Sequence, residues 1–171
     1  LFRSINDNLY KQNFVNYRNS GFEKATSHLN NLFKELAASI EVVKPVSFEP
    51  SESLIAFTSS ILPDYAQEKF KSWIGREVQG FKLIYRGSRD GFAAQDFHQK
   101  CDGVFPTLTL IRNLNRSKVC GGYTNKPWHQ FDCFSSSKES FIFSWNEGKK
   151  YLIKDTDKAI YGHPELGPNF G

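Results

Sequence analysis

An α+β fold, with helices gathered toward the amino end and an antiparallel sheet after them, is what this sequence predicts. Two observations carry the prediction. Before Pro45 the chain is free of proline and its apolar residues recur every three or four positions, whereas from Phe81 onward the period changes to short strand-like runs, of which Thr107–Arg112 alternates threonine with leucine. Those later runs are joined by short turns such as Asn146-Glu-Gly148. Such turns connect antiparallel neighbours, while parallel strands need a long crossover. At 171 residues the chain has room for one domain with a proper core.

The amino-terminal elements come first. Leu1, Ile5 and Leu9 repeat at helical spacing, and Ser20-Gly-Phe-Glu23 has the form of a capping box that opens a second helix. Phe22, Ala25, Leu29, Leu32, Phe33, Leu36, Ile40 and Val43 then fall on one face of that helix. Such a stripe buries against something: the following domain, a coiled-coil partner or another chain. Leu29, Phe33, Leu36 and Ile40 are therefore candidate interaction residues. Pro45 and Pro50 break the period and set the expected boundary, with a helical segment over 1–47 and the globular domain over 48–171.

Residues 53–62 read as a short helix. Asp64 is expected to cap another, with Ala66, Phe70, Trp73 and Ile74 on one face and Gly75 as its stop. Strands follow over 81–86, 107–112, 118–124, 140–145 and 151–154. Between the first two, a charged, glycine-flanked turn (Gly87-Ser-Arg-Asp-Gly91) leads to a short helix ending at Cys101.

Composition narrows the function. Twenty-two Lys plus Arg against 18 Asp plus Glu leave a net charge of +4, with both signs scattered and no basic tract dense enough to follow a phosphate backbone, so nucleic acid is a minor hypothesis. No apolar run approaches the ~20 residues of a membrane span, and a soluble, cytoplasmic protein is expected. Three cysteines and no signal segment fit reduced thiols. The chain opens on Leu1 and has no methionine, which reads as a segment of a longer polypeptide.

Each candidate site has a structural alternative. His98-x-x-Cys101 and His129-x-x-x-Cys133 could supply a Cys2His2 zinc site, but their order matches no standard finger, and Cys101 shares a helix face with Ala94 and Phe97 that would turn its sulfur into the core. No metal or other cofactor is expected. Ser88, Asp90 and His98 form a chance triad at best, because Ser88 lacks the Gly-x-Ser-x-Gly elbow. Arg89 and Asp90 are better suited to holding the turn. Gly121-Gly122 lacks the spacing and lysine of a phosphate loop and marks a bulge or a close backbone approach. Cys120 reads as an inert strand thiol. Trp128 is either an exposed contact aromatic or a lid over a sheet edge.

Several motifs together resemble one family. Leu83-Ile-Tyr-Arg-Gly-Ser-Arg-Asp-Gly91, Phe97-His-Gln-Lys-Cys101 with Asp102, Pro106-Thr-Leu-Thr-Leu-Ile111, Gly121-Gly-Tyr-Thr124 with Trp128, Phe141-Ile-Phe-Ser144 and Gly167-Pro-Asn-Phe-Gly171 stand in the order of a TLDc domain, covering residues 53–171. The chain is especially similar to protist members. It departs in having Cys120 before the glycine pair, where the family usually has phenylalanine, and in stopping at Gly171, where the family continues into a closing strand. The resemblance implies a β-sandwich flanked by short helices, an association with oxidation resistance, and binding to the vacuolar-type proton ATPase. It carries no catalytic residue, and it places Arg89, Asp90, Gly91, Cys101, Gly121 and Gly122 in motifs that maintain the fold. The expected function is a non-enzymatic protein-interaction module of a larger protein, its partner the proton ATPase or a cytoskeletal or axonemal complex. The alternative is a stress-protective protein in which Cys101 or Cys120 is oxidised. A hydrolase or transferase has no handle in the sequence.

Overall fold

A computed structural model describes residues 39–46, 59–113 and 118–171. Eight strands are present among them: β1 (Ser39–Val46), β2 (Gly80–Arg86), β3 (Thr107–Asn113), β4 (Lys118–Thr124), β5 (Cys133–Ser135), β6 (Phe141–Ser144), β7 (Lys149–Leu152) and β8 (Ile160–Gly162). The helices are α1 (Ala66–Ile74), the single-turn α2 (Gly87–Asp90) and α3 (Ala94–Cys101). Six strands form one sheet in the order β2-β1-β3-β4-β6-β7, and every pairing in it is antiparallel. β5 and β8 form a separate antiparallel ribbon. The fold class is the predicted α+β.

The largest departure from expectation is β1. Ile40 and Val43 were expected on the apolar face of a helix, yet they lie in a strand between β2 and β3, inside the sheet. Three-and-four spacing was compatible with both, but the run Ile-Glu-Val-Val-Lys-Pro-Val is dense in β-branched residues, which lose rotamer freedom in a helix and pack well on a pleated surface. Ile40 is 3% exposed and is not available as an interaction residue. The sheet therefore takes in a segment ahead of the boundary expected at 48. Pro45 is tolerated because pairing with β3 ends at Val43, so one side of β1 has no ladder partner at the proline. Leu29, Phe33 and Leu36, the capping box at Ser20 and the helix starting at Leu1 lie outside the described residues, as does most of the short helix expected over 53–62; residues 59–62 of it are not helical.

Each face of the sheet has its own core. On one, Val43, Phe81, Leu108, Leu110, Tyr123, Phe141 and Phe143 pack beneath Ile61, Leu62 and α1. Helix α1 presents Ala66 and Phe70 four residues apart, and the Phe70 ring lies 5.2 Å from Phe143 and 5.8 Å from Trp73, both edge to face. Its first amides donate to the carbonyls of Pro63 and Asp64, so the Asp64 side-chain cap expected there is absent and Tyr65 is the N-cap. Gly75 ends the helix with φ 69°, donating its amide to Lys71.

On the opposite face Ile40, Val42, Tyr85, Phe97, Cys101, Trp128 and Ile160 form the second core, covered by α3 and the ribbon. β2 serves both cores because of a β-bulge. Val42 opposes Tyr85 while Val43 opposes Leu83, so Ile84 is the extra residue, and Phe81 and Tyr85, which would otherwise share a face, point to opposite ones. β5 and β8 were missed in the sequence, being three residues long with no alternation to read.

Candidate functional site

The charged turn Arg86–Gly91 is where the sequence concentrates its polar motif, and the structure makes it the finish of the β2 edge. The Asp90 carboxylate accepts the Arg86 amide (2.9 Å) and two guanidinium bonds from Arg89 (2.7 and 2.8 Å), while Arg89 also reaches the Ile84 carbonyl at 3.4 Å. A strand edge otherwise leaves such backbone groups to solvent or to another chain. The Arg89 hydrogen bond, reinforced by the Arg86 amide, holds the Asp90 carboxyl down to about 2. Gly91 follows at φ 106°, where a Cβ would collide with the Asp96 carboxylate, and the Tyr85 hydroxyl donates to its carbonyl (2.6 Å).

Behind this turn sits a charge that the sequence reading did not single out. Glu41 is fully buried, and its carboxylate accepts from Ser59 Oγ (2.6 Å), Ser60 N (3.0 Å), Ser60 Oγ (2.8 Å) and Arg86 Nε (2.8 Å). A buried carboxylate persists where hydrogen bonds and an opposite charge replace its water. Arg86 thus joins the two layers, its amide on Asp90 and its guanidinium on Glu41. A glutamate flanked by Ile and Val in a strand-like run was the available signal, and the helical reading of that run concealed it.

The zinc and triad constellations do not assemble. His98 Nδ1 lies 2.7 Å from Asp102 Oδ1, at the end of its own helix, and Nε2 lies 2.9 Å from both the His163 and Leu166 carbonyls, so both ring nitrogens are engaged and Nε2 pins α3 to the 163–166 turn. His129 Nε2 bonds Ser135 Oγ at 2.9 Å. Among the described residues no group of His, Cys, Asp and Glu is arranged to hold a metal. Asp90 is spent on Arg86 and Arg89 rather than on His98.

The three cysteines differ in exposure. Cys101 is fully buried, and that burial pushes its thiol well above the usual range, with the Asp102 and Asp90 charges adding to the effect. Burial raises Cys120 to about 11. Cys133 is exposed. Neither Cys101 nor Cys120 has the low-pKa setting of a reactive thiolate.

Trp128 is 2% exposed, which corrects its place among the interaction candidates. Its Nε1 donates to Thr107 Oγ1 (2.9 Å), and its ring lies 5.5 Å from both Phe97 and Phe170. Gly121 and Gly122 lie within unbroken β3–β4 pairing, so they form no bulge there. Gly122 allows a close approach instead: the Phe170 ring occupies the space a Cβ would need, 2.6 Å from where it would stand.

A TLDc domain profile matches residues 55–171, most of the chain. The chain belongs to the TLDc family. The match begins after β1, although β1 lies between β2 and β3, so the TLDc sheet of this protein includes a strand from ahead of the matched region. Among curated proteins the chain is similar to TBC1 domain family member 24 of Xenopus laevis, 28% identical over 120 residues that make up 65% of this chain and 20% of the relative. It is also similar to oxidation resistance protein 1 of Xenopus laevis, 23% identical over 131 residues, 70% of this chain and 15% of the relative. The chain thus spans a fifth or less of those relatives. No solved structure matches it. Among the described residues no helix is long and apolar enough to cross a membrane.

The far edge of the TLDc sheet is built differently from β2. All four residues of β7 are exposed, with Tyr151 at 39% and Leu152 at 68%, and among the described residues β7 pairs only with β6. The sequence reading placed a strand here but did not single out its residues as a site.

Proposed function

We propose that this TLDc domain is a non-enzymatic protein-interaction module acting within a larger protein or assembly. The observation that carries the reading is the division of the polar residues. The polar side chains of the motif, Arg89, Asp90 and His98, and the buried Glu41 behind them are each committed to backbone or side-chain partners inside the fold, and the exposed apolar side chains lie elsewhere, at Phe131, Leu152 and their neighbours. A site for chemistry keeps reactive groups accessible; a scaffold uses them internally and presents surface. The family resemblance makes the vacuolar-type proton ATPase the first partner to test, with a cytoskeletal or axonemal complex as the second, and both place the protein in the cytoplasm or on organelle surfaces facing it.

Affinity purification from native extract tests the reading. Recovery of proton ATPase subunits supports the first partner, and recovery of cytoskeletal proteins without them favours the second. The control cannot be deletion of residues 1–47, because that also removes β1. A stress-protective role remains the second reading, favoured by the name of the oxidation resistance relative, but chemistry at Cys101 or Cys120 would have to overcome burial. Alkylation rates measured against pH decide it: thiols reacting no faster than free cysteine exclude a thiolate mechanism.

A further inference from the structure

We propose that β7 is a docking edge that accepts an acidic, extended segment of a partner protein as a seventh strand of the sheet. The proposal rests on the interaction-module reading and names the surface and the chemistry it would use. In an antiparallel sheet alternate residues of an edge strand turn their N–H and C=O groups outward, and those groups are complementary to any extended backbone laid beside them. At the β2 edge the corresponding groups of Arg86 and Ile84 are taken by Asp90 and Arg89. At β7 no side chain of the described residues does this.

Charge selects among extended segments. Lys149, Lys150 and the adjoining Lys154 form no ion pair with a carboxylate among the described residues. Lys150 is held close to the strand rather than swinging into solvent: its Nζ donates to the Trp73 carbonyl (2.7 Å) and lies 5.2 Å over the Phe141 ring. Strand alternation places Lys150 and Leu152 on the α1 face and Lys149 and Tyr151 on the other, so each face offers a cation followed by an apolar side chain. An incoming antiparallel strand matches this pattern with the order apolar, apolar, acidic, acidic opposite positions 152 down to 149, and an acidic residue two places ahead of these comes to the bend that carries Lys154. A second copy of this chain does not match, since pairing two β7 strands would gather both sets of lysines along one seam, the arrangement by which exposed edges resist self-association.

The test uses the full chain and two capped peptides, Glu-Thr-Val-Val-Glu-Glu and its lysine counterpart Lys-Thr-Val-Val-Lys-Lys, followed by amide NMR at low salt. The expected result is that the acidic peptide alone shifts the β7 amides and slows exchange of the outward-facing ones. The paired reversal Lys149→Glu with Lys154→Glu should weaken it roughly threefold to tenfold, the scale of two exposed charge pairs. No response at millimolar peptide, equal response to both peptides, or shifts centred away from β7 overturns the proposal. So does self-association of a Lys149→Thr, Lys154→Thr variant that ignores the acidic peptide, which would make the lysines guards only. Failure of this edge and of the module reading separate in extract: protein partners still recovered in full by the charge-reversed variant refute the edge and leave the module, whereas a wild-type chain that recovers no protein refutes the module.

Discussion

At one edge of the sheet, β2 ends in a turn whose aspartate and arginine occupy two of the strand's own backbone groups, the Arg86 amide and the Ile84 carbonyl, and a buried glutamate on the neighbouring strand fixes that turn from behind; at the other edge, β7 is four exposed residues, and the three lysines in and beside it form no ion pair among the described residues. The sheet is the same on both sides, so the difference lies in what the chain does next. After β2 it turns at once into α2 and α3 and folds back over the sheet. After β7 it leaves for the β5–β8 ribbon and carries nothing back along the edge. The charged turn thus caps the end of one edge, and the edge proposed for a partner lies away from it.

Removing β1 should break the closed edge most completely. Deletion of residues 1–47 takes away the strand that joins β2 to β3, and loss of cooperative thermal unfolding by calorimetry is expected. Next comes Glu41→Ala, which removes the carboxylate that accepts from the Arg86 guanidinium and two serines. Because Arg86 is partly exposed, the cost should fall below that of a fully buried pair, at about 2–3 kcal/mol in urea unfolding. Asp90→Asn should cost about 1 kcal/mol through its weakened bonds to the Arg86 amide and Arg89. It should also change the acid limb. The folded carboxyl lies below its unfolded value, so wild-type stability from this group is complete above pH of about 4 and is lost as pH falls through about 2, and the asparagine variant should lack that loss. The smallest effect is expected at the open edge: Leu152→Thr should leave stability within about 0.5 kcal/mol of wild type.

The sequence made the second half of the fold legible because the alternation in 107–112, the Asn/Arg-rich turn ahead of 118–124 and the Asn146-Glu-Gly148 turn are local signals. It hid β1 because Ile40 and Val43 satisfy a helical period as well as a strand, and only long-range pairing with Val42 at the centre decides between them. Trp128 was ambiguous for a similar reason: a tryptophan after Pro127 in a polar loop can cover a core or face solvent, and its burial depends on Thr107, Phe97 and Phe170, which are remote in sequence. Arg89 and Asp90 were readable as turn-holding residues, but their partners at Ile84 and Arg86 follow from the bulge in β2.

Native-state amide hydrogen exchange compares the two edges most directly. The Arg86 amide, bonded to Asp90, should be protected to nearly the level of the central strands, while alternate amides of β7 exchange at close to the rate of open chain. Protection of every β7 amide at the level of Arg86 would contradict the account, because it would mean that the edge assigned to partners is already closed.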